Sequence, residues 1–203
     1  MDSIVFVKSA PSIKECPTDN IPEFAFIGRS NVGKSSLINF LAQKSGLAQV
    51  SSKPGKTKLM NYFKVDDAWH LVDLPGYGYA IVAQTKRLEW EARSKVYLNK
   101  REQLVNVFLL IDCSIPPQKL DIDMINWLGE RSIPFCIVAT KADRIKAVEY
   151  EKWYSSYQEK LAEVWEEFPK LIKTSVDDKL GKDELYEYIG YCLKMWEQYR
   201  QDA

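Results

Sequence analysis

The residues with the clearest capacity for chemistry are Gly28-Arg29-Ser30-Asn31-Val32-Gly33-Lys34-Ser35, which fit G-x-x-x-x-G-K-[ST]. Glycines at both ends let a backbone curl around a diphosphate with successive N–H groups facing inward, and a helix start behind them adds the positive end of its dipole. In that arrangement Lys34 reaches the β and γ phosphates and the Ser35 hydroxyl sits on Mg2+, with Ser36 beside it in the first turn. A triphosphate site also needs an acid near the metal and a sensor of the terminal phosphate. Asp73-Leu74-Pro75-Gly76 closes an apolar run, as a Walker-B aspartate does. Asp73 would hold the metal through water, and Gly76 offers an N–H with no side chain in the way. Alone, such a string of turn formers means little; downstream of a phosphate loop it acquires a role.

A base reader is carried by Thr140-Lys141-Ala142-Asp143. One carboxylate at Asp143 accepts from both N1–H and the exocyclic amine of guanine. Adenine offers neither donor and would leave the acid unpaired, a penalty large enough to reject it. The aliphatic stem of Lys141 suits the face of the base, and the amides of Thr174-Ser175-Val176 are placed to reach guanine O6.

These groups need elements to hold them. Residues 23–28 form an apolar run that suits a buried strand, and residues 34–43 carry Leu37, Ile38 and Leu41 at helical spacing. Residues 45–58 read as an extended polar loop. Residues 58–65 and 69–73 read as a strand pair turned by Asp66-Asp67, and 75–79 as a second glycine-rich loop before a helix over 83–101. The nearly continuous apolar runs 105–112 and 134–140 have the character of parallel strands covered on both faces. Helices are expected over 119–131, 150–168 and 183–199, with a short strand at 171–174. Trp153, Tyr157, Trp165 and Trp196 are read as packing residues. The alternation predicts a three-layer α/β fold with a mostly parallel, six-stranded sheet flanked by helices. Residues 1–22 are read as an N-terminal extension packing on one domain that spans 23–203.

Composition narrows the classes further. With 203 residues, 46% of them apolar, the chain can bury a full core as one domain and is too apolar for disorder. It holds no apolar run long enough to span a membrane and no basic-then-apolar start, so a cytoplasmic protein is expected. Cys16, Cys113, Cys136 and Cys192 are widely separated, without a Cys-x-x-Cys pair, which argues against zinc or a disulfide framework. His70 is the single histidine, excluding mechanisms that need several. Net charge is zero, yet residues 24–101 hold 13 basic and five acidic residues, while residues 147–203 hold eight and 13. The first segment suits a polyanion such as RNA, or simply a solvated surface with phosphate-binding lysines.

The motifs occur in the order and spacing of Ras-like (TRAFAC-class) GTPases, and the chain resembles the EngB (YihA/YsxC) family of bacterial ribosome-assembly GTPases. The strings that carry this resemblance are residues 28–39, Lys53-Pro54-Gly55-Lys56-Thr57, Asp73-Leu74-Pro75-Gly76-Tyr77-Gly78-Tyr79-Ala80 and Thr140-Lys141-Ala142-Asp143. The resemblance implies a P-loop G domain that binds GTP or GDP with Mg2+ and hydrolyses GTP. It implies that Thr57 joins Ser35 on the metal, that residues 45–58 form the first switch, and that Gly55, Lys56, Thr57, Lys58 and Leu59 belong to the nucleotide site. The second switch would run from Pro75 to about Trp90. Lys34, Thr57 and Gly76 would carry catalysis. As partner it implies the large ribosomal subunit or its precursor, through rRNA and ribosomal proteins, with the protein acting as a monomer. Three positions depart from the wider pattern. Thr140 stands where many relatives carry asparagine, Thr-Ser-Val replaces Ser-Ala, and Tyr77 occupies the place of the glutamine that orients water in Ras. Tyr77 predicts slow intrinsic hydrolysis. Asn31 implies K+ as an external activator, or serves only the turn. Tyr77 and Tyr79 are open either to stacking on RNA bases or to packing. Two alternatives remain: a guanine-nucleotide-dependent RNA- or protein-binding module with negligible turnover, and an ATP-dependent kinase, which Asp143 disfavours.

Overall fold

A computed structural model describes residues 3–48, 59–78 and 84–202, with backbone alone for 84–90 and 202. Gly55, Lys56, Thr57, Lys58, Tyr79 and Ala80 lie outside the described residues, so the expectations placed on them receive no structural account.

The strands are β1 Ile4–Ala10, β2 Glu23–Gly28, β3 Met60–Val65, β4 Trp69–Asp73, β5 Leu104–Asp112, β6 Phe135–Thr140 and β7 Leu171–Lys173. The helices are α1 Lys34–Ala42, α2 Gln84–Lys100, α3 Lys119–Gly129, α4 Ala147–Leu161 and α5 Lys182–Asp202. The sheet runs β1-β3-β4-β2-β5-β6-β7, and only β1–β3 and β3–β4 are antiparallel pairs. Among the described residues it therefore has seven strands where the sequence predicts six. The additional one, β1, lies in the segment read as an extension. It is an edge strand whose Val5 and Phe6 are each 53% exposed, so burial does not impose the alternation that would have marked it.

Side-chain alternation along β5 explains its unbroken apolar run. Val107, Leu109 and Ile111 enter a core with Tyr97 and Leu98 of α2, Ile125 and Leu128 of α3, and Trp153 and Tyr157 of α4. Phe108 and Leu110 enter the other core, with Leu37, Ile38 and Leu41 of α1 and Leu185 and Ile189 of α5. Helices cover both faces, as a parallel sheet requires. α4 begins and ends earlier than its aromatic spacing suggests. The Glu149 carboxylate accepts from the Lys146 N–H at 2.8 Å and fixes the start. Beyond Leu161, residues 163–167 hold three glutamates and an exposed Val164, leaving no apolar stripe to bury. Trp165 packs only partly against the core, and Trp196 is half-buried under Arg200.

Strand register gathers the chemistry at one edge. Phe26 lies opposite Asp73, Gly28 opposite Leu110, and Asp112 opposite Thr140, all at the carboxyl ends of parallel strands. In open α/β sheets ligands bind at that edge.

Candidate nucleotide-binding site

Packing below the phosphate loop dictates its first glycine. A Cβ on Gly28 would come within 2.7 Å of the Leu110 carbonyl and 2.9 Å of Val32 Cγ1. Gly33 has φ +97° and Asn31 φ +65°, left-handed values that glycine and asparagine adopt with least strain. α1 then starts with no side-chain bond to its first amides and no acid in its first turn, among the described residues. The N–H groups of Lys34, Ser35 and Ser36 are thereby left for an anion.

Lys34 Nζ is paired with Asp73 Oδ1, and both residues are buried. Burial pushes the Lys34 ammonium down from its ordinary value to about 7. Among the described residues, Asp73 Oδ2 accepts only a long 3.4 Å bond from Asn61 Nδ2, and Asn61 Oδ1 in turn accepts from Ser9 at 2.7 Å. One hydroxyl, Ser35, and one under-used carboxylate, Asp73, fit Mg2+. That ion keeps several waters and takes phosphate oxygens instead of a cage of protein ligands. No group of three or more His, Cys, Asp or Glu suited to a metal occurs among the described residues. Of the nucleotide-site residues expected at 55–59, Leu59 is the one among the described residues, and it sits exposed just before β3.

At the base end, Thr140 preserves a connection despite replacing asparagine. Its hydroxyl donates to the Val32 carbonyl at 2.7 Å, tying the base motif to the phosphate loop. Lys141 Nζ donates to the Asn31 carbonyl at 2.7 Å and to Asp112 Oδ2 at 2.5 Å, which fixes its stem across the site. Asp143 Oδ1 accepts from Ser175 Oγ at 2.7 Å, and Ser175 Oγ accepts from the Asp178 N–H at 3.0 Å. The amides of Thr174 and Ser175 donate to the Ala139 and Leu180 carbonyls, at 2.7 and 3.2 Å. Of the three amides expected to face guanine, the Val176 amide is thus the one left for a ligand.

Tyr77 is buried, and its phenol donates to Asp121 Oδ1 of α3 at 2.9 Å. Packing, and not base stacking, is its role. Leu74 donates its N–H to the Phe26 carbonyl at 3.0 Å, and Pro75 accepts from Ser94 Oγ at 3.3 Å, so the run leading to Gly76 is closely held. Among the described residues, Arg29 Nε is buried without a hydrogen-bond partner, against Gly78.

Residues 23–141 match the family described as 50S ribosome-binding GTPase. A probable GTP-binding protein EngB of Porphyromonas gingivalis is 50% identical over 184 residues, covering 91% of this chain and 92% of that protein. Another from Bacteroides thetaiotaomicron is 46% identical over 192 residues, 95% of each. The chain belongs to the EngB family of GTPases. The fold agrees: a crystal structure of a probable GTP-binding protein engB superposes with a TM-score of 0.69 at 20% identity, covering 85% of this chain and 99% of that one. Aquifex aeolicus Era bound to GDP and AlF4− gives 0.66 at 22% identity, over 86% and 56%.

As a member of the EngB family, the chain binds guanine nucleotide and hydrolyses GTP. Three residues of the site went unrecognised in the sequence: Asp112, which holds Lys141; Asn61, which reaches Asp73; and Asp121, which holds Tyr77. Each finds its partner through the fold, with no local spacing to announce it. The basic excess of residues 24–101 is partly consumed inside the molecule. Lys34 pairs with Asp73, Lys64 with Asp19 and Arg101 with Glu23, and Lys44 donates to the Ile4 carbonyl. No helix among the described residues is long and apolar enough to cross a membrane.

Proposed function

We propose that this EngB-family chain is a slow guanine-nucleotide switch, cytoplasmic and monomeric, that acts in assembly of the large ribosomal subunit and thereby in cell growth and division. The observation that carries the reading is the joining of base reader and phosphate loop through Thr140 and Lys141, so that one ligand spans both. Lys34 and the first amides of α1 hold the phosphates, Ser35, Thr57 and water-linked Asp73 hold Mg2+, Gly76 reads the terminal phosphate, and Asp143 reads guanine. Mg2+ supplies charge neutralisation at the phosphates. Slow turnover is supported by Tyr77, whose phenol is engaged by Asp121 where Ras has a water-orienting glutamine. Activation then comes from outside, with K+ near Asn31 as one source; a flat potassium titration of turnover removes that element. The family's description and the remaining basic residues, Lys95 near Trp127 among them, support an RNA-containing partner.

Co-sedimentation with large subunits in GDP or in a non-hydrolysable GTP analogue tests the switch. Binding is expected in the analogue, weakening with salt. Equal, salt-insensitive recovery in both nucleotides overturns it. Single-turnover hydrolysis with and without subunits separates this reading from a binding module of negligible turnover.

A further inference from the structure

We propose that Asp121 is a positioning residue for recognition of the terminal phosphate: through the Tyr77 phenol it fixes the Gly76–Tyr77 backbone against the phosphate loop. The geometry has three parts. Tyr77 donates its N–H to the Gly28 carbonyl at 3.2 Å, and its own carbonyl accepts the Ser30 N–H at 3.1 Å. A single residue of parallel pairing thus joins the two loops that must meet around the phosphates. Two such bonds, without neighbours to continue the ladder, fix little by themselves. The side chain supplies the third point, its phenol donating to Asp121 Oδ1 at 2.9 Å.

Packing alone does not call for an acid at that place. Position 121 lies in the first turn of α3, facing the core beside Tyr77 and Tyr157, and a leucine would fill the volume. A buried carboxylate is retained at a desolvation cost: burial raises its pKa to about 6, partly opposed by the Tyr77 and Tyr157 hydroxyls and by the nearby Arg29 charge. What the acid adds is direction, since a hydrogen bond fixes where the phenol ends and hence where its backbone sits. Tyr157 contributes a second, longer bond at 3.5 Å to Oδ2. Gly76 lies between the held Leu74–Pro75 and the held Tyr77, so its N–H inherits its place from both sides. GTP carries the phosphate that meets that N–H and GDP does not. The positioning therefore bears on one nucleotide only.

The test is the affinity of Asp121→Leu and Tyr77→Phe for fluorescent GDP and for a non-hydrolysable GTP analogue, in Mg2+ at pH 7.5, with melting curves of each variant. Both variants are expected to bind the analogue about fivefold more weakly and GDP within about twofold of the wild type, as loss of one buried hydrogen bond at a remote anchor predicts. Combining the two should add nothing to Tyr77→Phe, because one bond is removed either way. Tyr157→Phe should move both affinities less than about twofold, its bond being long. Equal losses for GDP and the analogue, or losses that add in the double variant, overturn the proposal and leave Asp121 a purely structural acid. Should Asp121→Leu fail to fold, Tyr77→Phe alone decides, since it removes the same bond and leaves the acid its Tyr157 donor.

Discussion

The two ends of the sheet bury comparable sets of polar groups and use them differently. At the carboxyl end, Lys34 faces Asp73, Lys141 faces Asp112, and Ser175 faces Asp143. These contacts surround groups that a ligand can also address. At the amino end, Glu23 is fully buried and receives Arg101 at 2.5 Å, Tyr97 at 2.7 Å and Tyr62 at 3.4 Å, while Arg101 also reaches the Pro17 carbonyl at 2.7 Å. His70 lies against this cluster, Tyr62 meeting its ring edge-on at 5.6 Å, and burial lowers its pKa so that it stays neutral. The amino-end cluster closes on itself and binds the start of β2 to α2, β3 and β4. The lone histidine is part of that scaffold and takes no part in nucleotide chemistry. Polar burial marks a site where a ligand can take up the partners, and a brace where several elements converge on one acid, as they do on Glu23.

The largest effect should separate the ends by stability. Glu23→Ala strands a buried guanidinium, and we expect a loss of about 3–5 kcal/mol in chemical denaturation. GDP affinity of the folded fraction should stay within about twofold, because nothing in that cluster faces the ligand. A comparable fall in affinity would erase the distinction between brace and site. The reciprocal change, Asp143→Ala, should weaken GDP binding by about 2–4 kcal/mol through loss of two charge-assisted bonds, with the melting temperature nearly unchanged. A melted variant would make Asp143 part of the brace.

Of these two ends, only the carboxyl end was legible in the sequence. Phosphate geometry imposes a fixed local spacing on Gly28, Gly33, Lys34 and Ser35, and β5 and β6 betray themselves because helices cover both of their faces. Glu23 reads as one residue of an apolar run, and its partners come from segments 39, 74 and 78 residues away. Asp112, Asn61 and Asp121 were hidden for the same reason, their partners lying 29, 12 and 44 residues distant. β1 escaped because an edge strand with exposed apolar residues has no face that imposes a pattern.

Asp121 lies between the two regimes, buried like the brace yet attached to the site, and pH can place it. Its carboxyl is raised from 3.8 to about 6, so the folded state binds the proton more tightly and stability falls as pH rises through that window. Between pH 7 and pH 5, wild type should therefore gain about 1 kcal/mol relative to Asp121→Asn. A constant difference would mean the acid is not desolvated. The groups facing it are the phenols of Tyr77 and Tyr157, which burial pushes up, and the side chains of Arg29 and Asp112. The smallest effect belongs to Thr140→Val, which removes the bond to the Val32 carbonyl. About 1 kcal/mol should be lost from stability and a similar amount from GDP binding, since this bond serves both regions. An effect on only one of the two would show that Thr140 does not link them.

The central claim is that main-chain amides at the start of α1 hold the phosphates while Asp143 selects the purine. Isothermal calorimetry in Mg2+ with GDP, a GTP analogue and ADP tests it most directly. The account predicts saturable heat with both guanine nucleotides and none with ADP at the same concentrations. Equal binding of ADP, or no heat with any nucleotide, would contradict it.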